Sequence, residues 1–505
     1  MPEELGRCFG ETSHMNVSFI SDKIPQIGEY VYLKYNDQVI LGMIESLFRG
    51  NKTLSDDLLK PEVIDRILSI EGEIDHYIRG NIKILGDKDK LRIPRTPAPP
   101  GTVIYKADKQ LLKEVFESGD GINIGTILTD PDVCVKLDVN KMVSRHLAIL
   151  AMTGAGKSNA TSVIIDELLS IGGTMIVFDM HSEYYKSEYS NGKTKRIIPK
   201  LNPQFLSIAE YKQLLNIGEN ASIQESYLRE AYKYVKNNSQ QGGVDNFIYE
   251  MIQRVNTKRL ELENEERKRN NHIEATSQVI FKLEDMQDKY KSLLDSTDVG
   301  DIVNQIAMGR LNILDLGSLD EKATDIIVKH TLTNILYRRK NFVKDEGKKT
   351  LDFPIFCIIE EAHNIASNDR NTKSRHIIGK IAREGRKFGV GLCLVSQSPK
   401  SLDKAALSQM NNMIILRLIE PEDQKHIQKS SESLSDDLLE QLPSLNIGEA
   451  IVIGQMTRLP TLVKVNEFKG KTVGNDLDIA GIWRDSKRKH EEKIEQQKKE
   501  ISLGI

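Results

Sequence analysis

Over the first ninety residues, apolar and polar positions alternate in short runs. EYVYLKYNDQVILGMI places Val31, Leu33 and Tyr35 at every second position, breaks at Asn36-Asp37, and resumes as an apolar run from Val39 to Ile44. That pattern predicts a β-hairpin turned at Asn36-Asp37, and the short segments around it predict a small β-barrel or sandwich over residues 1–93. RIPRTPAPPGT (92–102) packs four prolines together and reads as a stiff linker that ends this unit. VCVKLDV (133–139) alternates again, so residues 94–140 read as a linker and a strand leading into the next unit.

From His146 the pattern changes. HLAILAM is an uninterrupted apolar run, followed by a glycine-bearing loop, an amphipathic helix from about residue 158 to 171 with Val163, Ile164, Leu168 and Leu169 apolar, then Gly172-Gly173 and a second apolar run, TMIVFDM. This β-loop-α-β order predicts a parallel sheet covered by helices. RLNILDLGS, FPIFCIIEEAHN and GVGLCLVSQS repeat the theme, each an apolar run ending in polar residues. In open α/β sheets ligands bind beyond the carboxyl ends of the strands, so those polar ends predict one ligand-binding edge. Residues 141–204 and 299–465 are therefore expected to form the two parts of one α/β unit. Between them, over 205–298, Val279, Ile280, Leu283, Met286, Tyr290 and Leu293 recur at helical spacing, and KRLELENEERKRNNH reads as a solvated helical face. An inserted helical bundle is predicted there. Residues 466–505 end in DSKRKHEEKIEQQKKE, a charged tail with helical character.

Composition narrows the class. Hydrophobic residues at 39% and charged residues at 28% suit a globular protein of several domains rather than a disordered chain. No apolar run reaches the roughly 18 residues a membrane helix requires, and MPEELGRCFGETS has no basic start followed by an apolar core. A cytoplasmic protein without membrane segments is expected. With 70 basic and 73 acidic residues the net charge is −3, which excludes coating nucleic acid by bulk charge and leaves only a local site, such as a central channel. Cys8, Cys134, Cys357 and Cys393 are too scattered to suggest a disulfide framework or a zinc site.

The chemistry concentrates at the strand ends. AMTGAGKSN offers a phosphate cradle, with backbone N–H groups from Thr153, Gly154, Ala155, Gly156, Lys157 and Ser158 at a helix N-terminus, followed by Asn159. Lys157 supplies charge to the β and γ phosphates, and the Ser158 hydroxyl a ligand for Mg²⁺. Ala151 stands where the usual pattern has glycine; a strand exit needs only a small residue there, so nucleotide binding is expected to survive. Glu360 and Glu361 follow a buried strand, so one can join the Mg²⁺ shell and the other polarise the attacking water. Glu361 is assigned as the base and Glu360 as the metal ligand, although spacing alone allows the reverse. Arg383 and Arg386 lie three apart on a helix and could reach a neighbouring subunit's γ-phosphate; a plain solvated face is the competing reading. Gln397, ending the next strand, can sense the γ-phosphate by hydrogen bonding. Asp179, His181 and Glu183 follow the second motor strand and suggest caps or supporting contacts rather than a metal site.

Taken together, SRHLAILAMTGAGKSN, FDMHSEY, IIEEAHN, IAREGRKFGVGLCLVSQSPKSLD and NNMIILRL, with GRCFGETS and IGEYVYL near the N-terminus, resemble the HerA-type DNA-translocating ATPases, archaeal hexameric helicases related to FtsK. The resemblance spans nearly the whole chain. It implies a RecA-like P-loop motor with an N-terminal β-barrel, an inserted helical bundle and a C-terminal segment bracing a neighbour. It also implies ATP and Mg²⁺ as cofactors, a homohexameric ring that moves double-stranded DNA, and a NurA-type nuclease partner in end resection. By the same resemblance Arg386 is the preferred trans arginine, Arg145 a second arginine at the subunit interface, and Gln397 a sensor. In such a motor two basic loops, YKSEYSNGKTKR with Lys193 and Arg196, and NDRNTKSR with Lys373 and Arg375, are candidate DNA contacts, solvated loops being the plain alternative. The competing functions are an ATP-gated clamp or scaffold for a nuclease, and a secretion or conjugation motor.

Overall fold

Six strands close on themselves at the N-terminus of the computed structural model, which describes residues 2–490 except 52–53, 55–59, 72–75, 118, 191–192, 239–246, 266–268, 295–301, 348, 371, 432–433, 471–478 and 489. They are β1 (Glu4–Thr12), β2 (Asn16–Ser21), β3 (Tyr30–Tyr35), β4 (Gln38–Asn51), β5 (His76–Asp87) and β6 (Val103–Lys106), in the order β1-β2-β5-β4-β3-β6. The expected hairpin is β3–β4. Asn36 and Asp37 both take positive φ, 51° and 56°, as a two-residue turn between twisted strands requires. Val17, Phe19, Leu33, Ile40, Ile44, Ile82 and Ile104 fill the barrel.

The proline segment does not end the barrel at residue 93. It leads into β6, which pairs with β1 and β3 and completes the closure. Ala98 is buried in the barrel core, its carbonyl accepts from Thr12 Oγ1 at 2.6 Å, and Cys8 bonds through its backbone to Gly101 and Thr102. Prolines carry no N–H, so such a segment crosses the barrel end with few donors to satisfy.

The second sheet has eleven strands. They are β7 (Gly121–Ile127), β8 (Asp130–Asp138), β9 (Leu147–Leu150), β10 (Met175–Asp179), β11 (Thr194–Ile197), β12 (Leu311–Asp315), β13 (Ile355–Ile359), β14 (Val390–Ser396), β15 (Asn412–Leu416), β16 (Glu449–Gly454) and β17 (Thr461–Val465). Their order is β11-β12-β10-β13-β14-β9-β15-β16-β17-β7-β8. From β11 to β15 neighbours are parallel; from β15 to β8 they are antiparallel. The strand expected at 133–139 is thus β8, at the far antiparallel end of this sheet. The central strands β9, β10, β12, β13, β14 and β15 are buried throughout, which accounts for their unbroken apolar runs.

Between β11 and β12 the described residues make four α-helices: Ile208–Leu214, Ser222–Asn238, Phe247–Glu263 and Asn270–Lys289. Leu201 N–H bonds to Leu293 O at 2.9 Å, so the insertion leaves and returns at one point. Its first helix is anchored to the Glu321–Lys344 helix through buried Glu210 with Lys329 (2.6 Å) and Gln213 with Asp325 (3.0 Å). Near the C-terminus residues 479–488 are helical, while the charged tail from residue 491 lies outside the described residues.

Candidate nucleotide site

Ala151 continues β9 between its two neighbours. Its N–H reaches Ser396 O at 3.2 Å, the Met152 N–H reaches Arg417 O at 3.0 Å, and Ala151 is fully buried. It does not take positive φ, so nothing at this position demands glycine. The demand falls instead on Gly154 and Gly156, with φ of 78° and 102°. Lys157 then opens the helix Lys157–Ser170, whose Ala160, Val163, Ile164, Ile165, Leu168 and Leu169 pack into the core.

Three adjacent strands deliver the reacting groups. In the order β13-β14-β9, Glu361 follows the first strand, Gln397 the second, and the loop with Thr153 and Lys157 the third. The Lys157 ammonium and the Glu361 carboxylate form a buried ion pair. Gln397 bridges the site: its amide nitrogen donates to Glu361 Oε1 at 2.5 Å, and its amide oxygen accepts from the Thr153 hydroxyl. Burial opposes ionisation of Glu361, but the Lys157 and Gln397 hydrogen bonds outweigh it and hold the carboxyl below its ordinary range. Glu361 has left-handed backbone, φ 43°, an uncommon conformation for a residue with a side chain. His363 Nδ1 lies 3.3 Å from Glu361 Oε2 and 3.2 Å from Ser396 Oγ.

Glu360 differs from its neighbour. Burial pushes its carboxyl up to about 7, with Lys157 opposing and the Glu183, Asp179 and Glu361 carboxylates adding to the rise. Tyr184 Oη donates to Oε1 at 3.1 Å, while Oε2 is buried with no partner. A buried carboxylate oxygen without a donor is what a hydrated cation completes. It fits Mg²⁺, as does the exposed Ser158 hydroxyl, because this ion takes few protein ligands and fills its shell with water and phosphate oxygens. Among the described residues no group of three or more His, Cys, Asp or Glu could hold a metal ion. Asp179 instead accepts the N–H groups of His181, Glu183 and Tyr184 at 3.3, 3.1 and 3.0 Å, capping the turn that presents Tyr184 to Glu360.

Asn159 was expected with the cradle, and its side chain is engaged elsewhere. It donates to Asn466 O at 2.8 Å and accepts from Phe468 N–H at 2.9 Å, fastening the chain after β17 to the nucleotide-loop helix.

The arginines occupy the other edge of the sheet. Arg145 ends the Val139–Arg145 helix just before β9; Arg383 lies in the last turn of Ser374–Glu384 and Arg386 in the short turn Gly385–Phe388, both just before β14. The parallel strands rise about 3.3 Å per residue, so the length of a strand, about 13 Å for β9 and about 23 Å for β14, separates these residues from the edge that carries the phosphate loop of their own chain. Arg383 and Arg386 are exposed, Arg145 is half-buried, and none of the three makes an ion pair or side-chain hydrogen bond among the described residues.

The two basic segments expected at DNA are not free loops. Arg196 lies in β11, where its Nε donates to Asp315 at 3.0 Å and its guanidinium sits 3.9 Å over the Tyr185 ring. Lys193 is exposed at the amino end of that strand. Arg375 is in the first turn of the Ser374–Glu384 helix and pairs with buried Asp403; Lys373 caps that helix, its N–H on Asp325 at 2.8 Å. Asn371 lies outside the described residues. Arg196 thus lies on the outermost strand β11, and Arg375 on a helix that follows β13.

Tyr184, Asp325 as anchor of the Ser374–Glu384 helix, and His146 were not anticipated, whereas a cap at Asp179 was expected from FDMHSEY, where an aspartate ends an apolar run.

Comparison with known proteins matches three family models along the chain: a HAS barrel domain at residues 5–89, the central domain of helicase HerA at 122–335 and a HerA-like C-terminal region at 342–469. A probable helicase of Methanocaldococcus jannaschii is 43% identical, the match covering 95% of this chain and 94% of the relative. The DNA double-strand break repair helicase HerA of Sulfolobus acidocaldarius is 40% identical over 97% of this chain and 98% of its own. Among solved structures, VirB4 of Thermoanaerobacter pseudethanolicus has a TM-score of 0.51 at 16% identity, covering 70% of this chain and 98% of VirB4. The plasmid coupling protein TrwB, in complex with a non-hydrolysable GTP analogue, has a TM-score of 0.50 at 16% identity, covering 74% and 95%. These two share the fold of the motor.

Proposed function

The chain belongs to the HerA helicase family, an ATP-hydrolysing helicase and translocase, and from that premise we propose that it works as a homohexameric ring moving double-stranded DNA during end resection in break repair, beside a NurA-type nuclease. The relatives named as DNA double-strand break repair helicases support the DNA substrate. No helix among the described residues is long and apolar enough to cross a membrane.

The observation that carries this reading is the linkage of Lys157, Gln397 and Glu361 across three neighbouring strands. Backbone N–H groups from Thr153 to Ser158 bind the phosphates of ATP, and the Lys157 ammonium adds charge to the terminal ones. Phosphate in the loop competes with Glu361 for Lys157, and the released carboxylate orients the attacking water and accepts its proton. Gln397 touches both the loop and Glu361, so it reports on the terminal phosphate to the rest of β14. Mg²⁺, held through Ser158 and Glu360, would neutralise charge on the phosphoryl oxygens. Arg386, with Arg383 as rival and Arg145 as companion, contributes from the adjacent subunit, because all three lie on the edge facing away from their own loop. Cycles of binding and hydrolysis at each interface tighten and relax the ring, and DNA is held by its phosphates through Lys373 and Arg375, or through Lys193 and Arg196, without reading sequence.

ATP hydrolysis with and without blunt duplex DNA, on wild type and Glu361→Gln, with native mass recorded in the same buffer, tests the proposal. Duplex-stimulated turnover by a ring, lost in the variant while ATP still binds, supports it. Hydrolysis indifferent to duplex turns the reading toward the clamp or the secretion-type motor.

A further inference from the structure

His146 joins the two chain segments that carry the exposed-edge arginines. It follows Arg145 directly, is 2% exposed, and has φ 65° and ψ 159°, a region that residues with side chains rarely enter. Its surroundings hold it there. The Leu392 N–H donates to Nδ1 at 3.0 Å, so the ring proton is on Nε2, which donates to Ala382 O at 3.1 Å. Asn412 Nδ2 donates to the His146 carbonyl at 2.8 Å, and Asn411 N–H to that of Arg145 at 3.1 Å. Ala382 precedes Arg383 and lies in the last turn of its helix, where carbonyls lack intrahelical donors. The imidazole supplies one. The fit is close on both sides: a Cβ on Gly385 would meet Val390 O at 2.4 Å and His146 Cε1 at 3.5 Å, and one on Gly391 would meet Val143 O at 2.5 Å. Burial keeps the ring neutral, its pKa lowered to about 4.

We infer that His146 is a positioning residue for the arginines: it ties the segment ending in Arg145 to the helix end bearing Arg383 and Arg386, and so presents three guanidinium groups as one rigid edge to the nucleotide of the next subunit. This rests on the trans-arginine reading above. A strained backbone conformation, held by four hydrogen bonds on two consecutive residues, would be needless for packing alone, since a residue at ordinary φ could cover the same apolar surface. The contacts hold the rarer conformation because the ring must reach both β14 and the Ala382 carbonyl.

The test uses mixed rings. His146→Ala should assemble at wild-type mass and hydrolyse ATP with kcat at least tenfold down and KM within threefold. Co-assembled one to one with Glu361→Gln subunits, it should regain at least fourfold in turnover, because its intact sites then receive arginines from neighbours whose own sites are dead. The triple variant Arg145→Ala, Arg383→Ala, Arg386→Ala is carried through the same mixing. If the triple variant is rescued and His146→Ala is not, the inference falls and the trans reading stands. If neither is rescued, the trans reading falls and takes the inference with it. Wild-type turnover by His146→Ala alone also overturns the inference. Should His146→Ala fail to assemble, His146→Gly, which lacks the imidazole and adopts φ 65° and ψ 159° without strain, enters the same scheme with the same outcomes.

Discussion

Lys157 and Glu361 stand 204 residues apart in the chain and meet as an ion pair with both side chains almost wholly buried. The phosphate-binding charge and the proposed base are thus each other's counter-ion, and each is costly to leave alone.

Lys157→Met should therefore destabilise the motor beyond the loss of nucleotide binding, since breaking a buried pair from one side costs about 3–5 kcal/mol. Adding Glu361→Gln should restore much of the melting temperature while turnover stays absent. Thermal unfolding of the two single variants and the double gives the cycle. A double variant less stable than Lys157→Met would show that the carboxylate is not stranded.

The raised carboxyl of Glu360 has a definite pH signature. Its folded pKa, about 7, lies above the ordinary value of 4.5, so between those values the folded state holds a proton that the unfolded state has released. Stability from this group is full below about pH 4.5 and is lost as pH rises through 7, by up to about 3 kcal/mol. Glu360→Gln should gain on wild type from pH 5 to pH 8 in melting temperature. Mg²⁺ with a non-hydrolysable ATP analogue should stabilise wild type more at pH 8 than at pH 5.5, because the metal competes with that proton. A gap that does not change with pH would mean Glu360 is ionised throughout.

Arg386→Ala should lower duplex-stimulated kcat by about a thousandfold or more, within the range known for trans arginines, and Arg383→Ala by less than about tenfold. ATP binding, measured by fluorescent-analogue titration, should hold in both. The reverse ranking would assign the role to Arg383.

Lys373→Ala should reduce the ratio of duplex-stimulated to unstimulated turnover and flatten the salt dependence of duplex binding by about one phosphate contact. Arg375→Ala should in addition lower the melting temperature, since it strands the buried Asp403 carboxylate. An unchanged salt slope in Lys373→Ala would remove this segment from the DNA path.

The parallel core was legible because its strands are buried on both faces, so HLAIL and IFCII read as unbroken apolar runs ending in chemistry. The hairpin at Asn36-Asp37 was legible because its turn needs two left-handed residues of that type. The barrel boundary was misread because prolines signal a break in regular structure without saying whether the chain leaves the domain; β6 has only four residues, and its partners β1 and β3 lie far back in the chain, as in the pairs Tyr105 with Glu4 and Lys106 with Val31. That Arg196 and Arg375 are tied down rather than free was hidden for a related reason: charge pattern does not reveal that Asp315 and Asp403 wait for them. His146 gave no signal, since its role depends on carbonyl and amide groups more than two hundred residues away.

The place of β9 in the sheet bears on how the protein is made. The strand that carries the phosphate loop is flanked by β14 and β15, which begin at Val390 and Asn412. A ribosome making this chain releases the loop long before either flank exists, so a nascent or truncated product ending before Val390 carries LAIL with both edges unpaired. Such a product is prone to aggregate and has no frame to hold a nucleotide. The phosphate loop is thus framed on both sides only in the nearly finished chain.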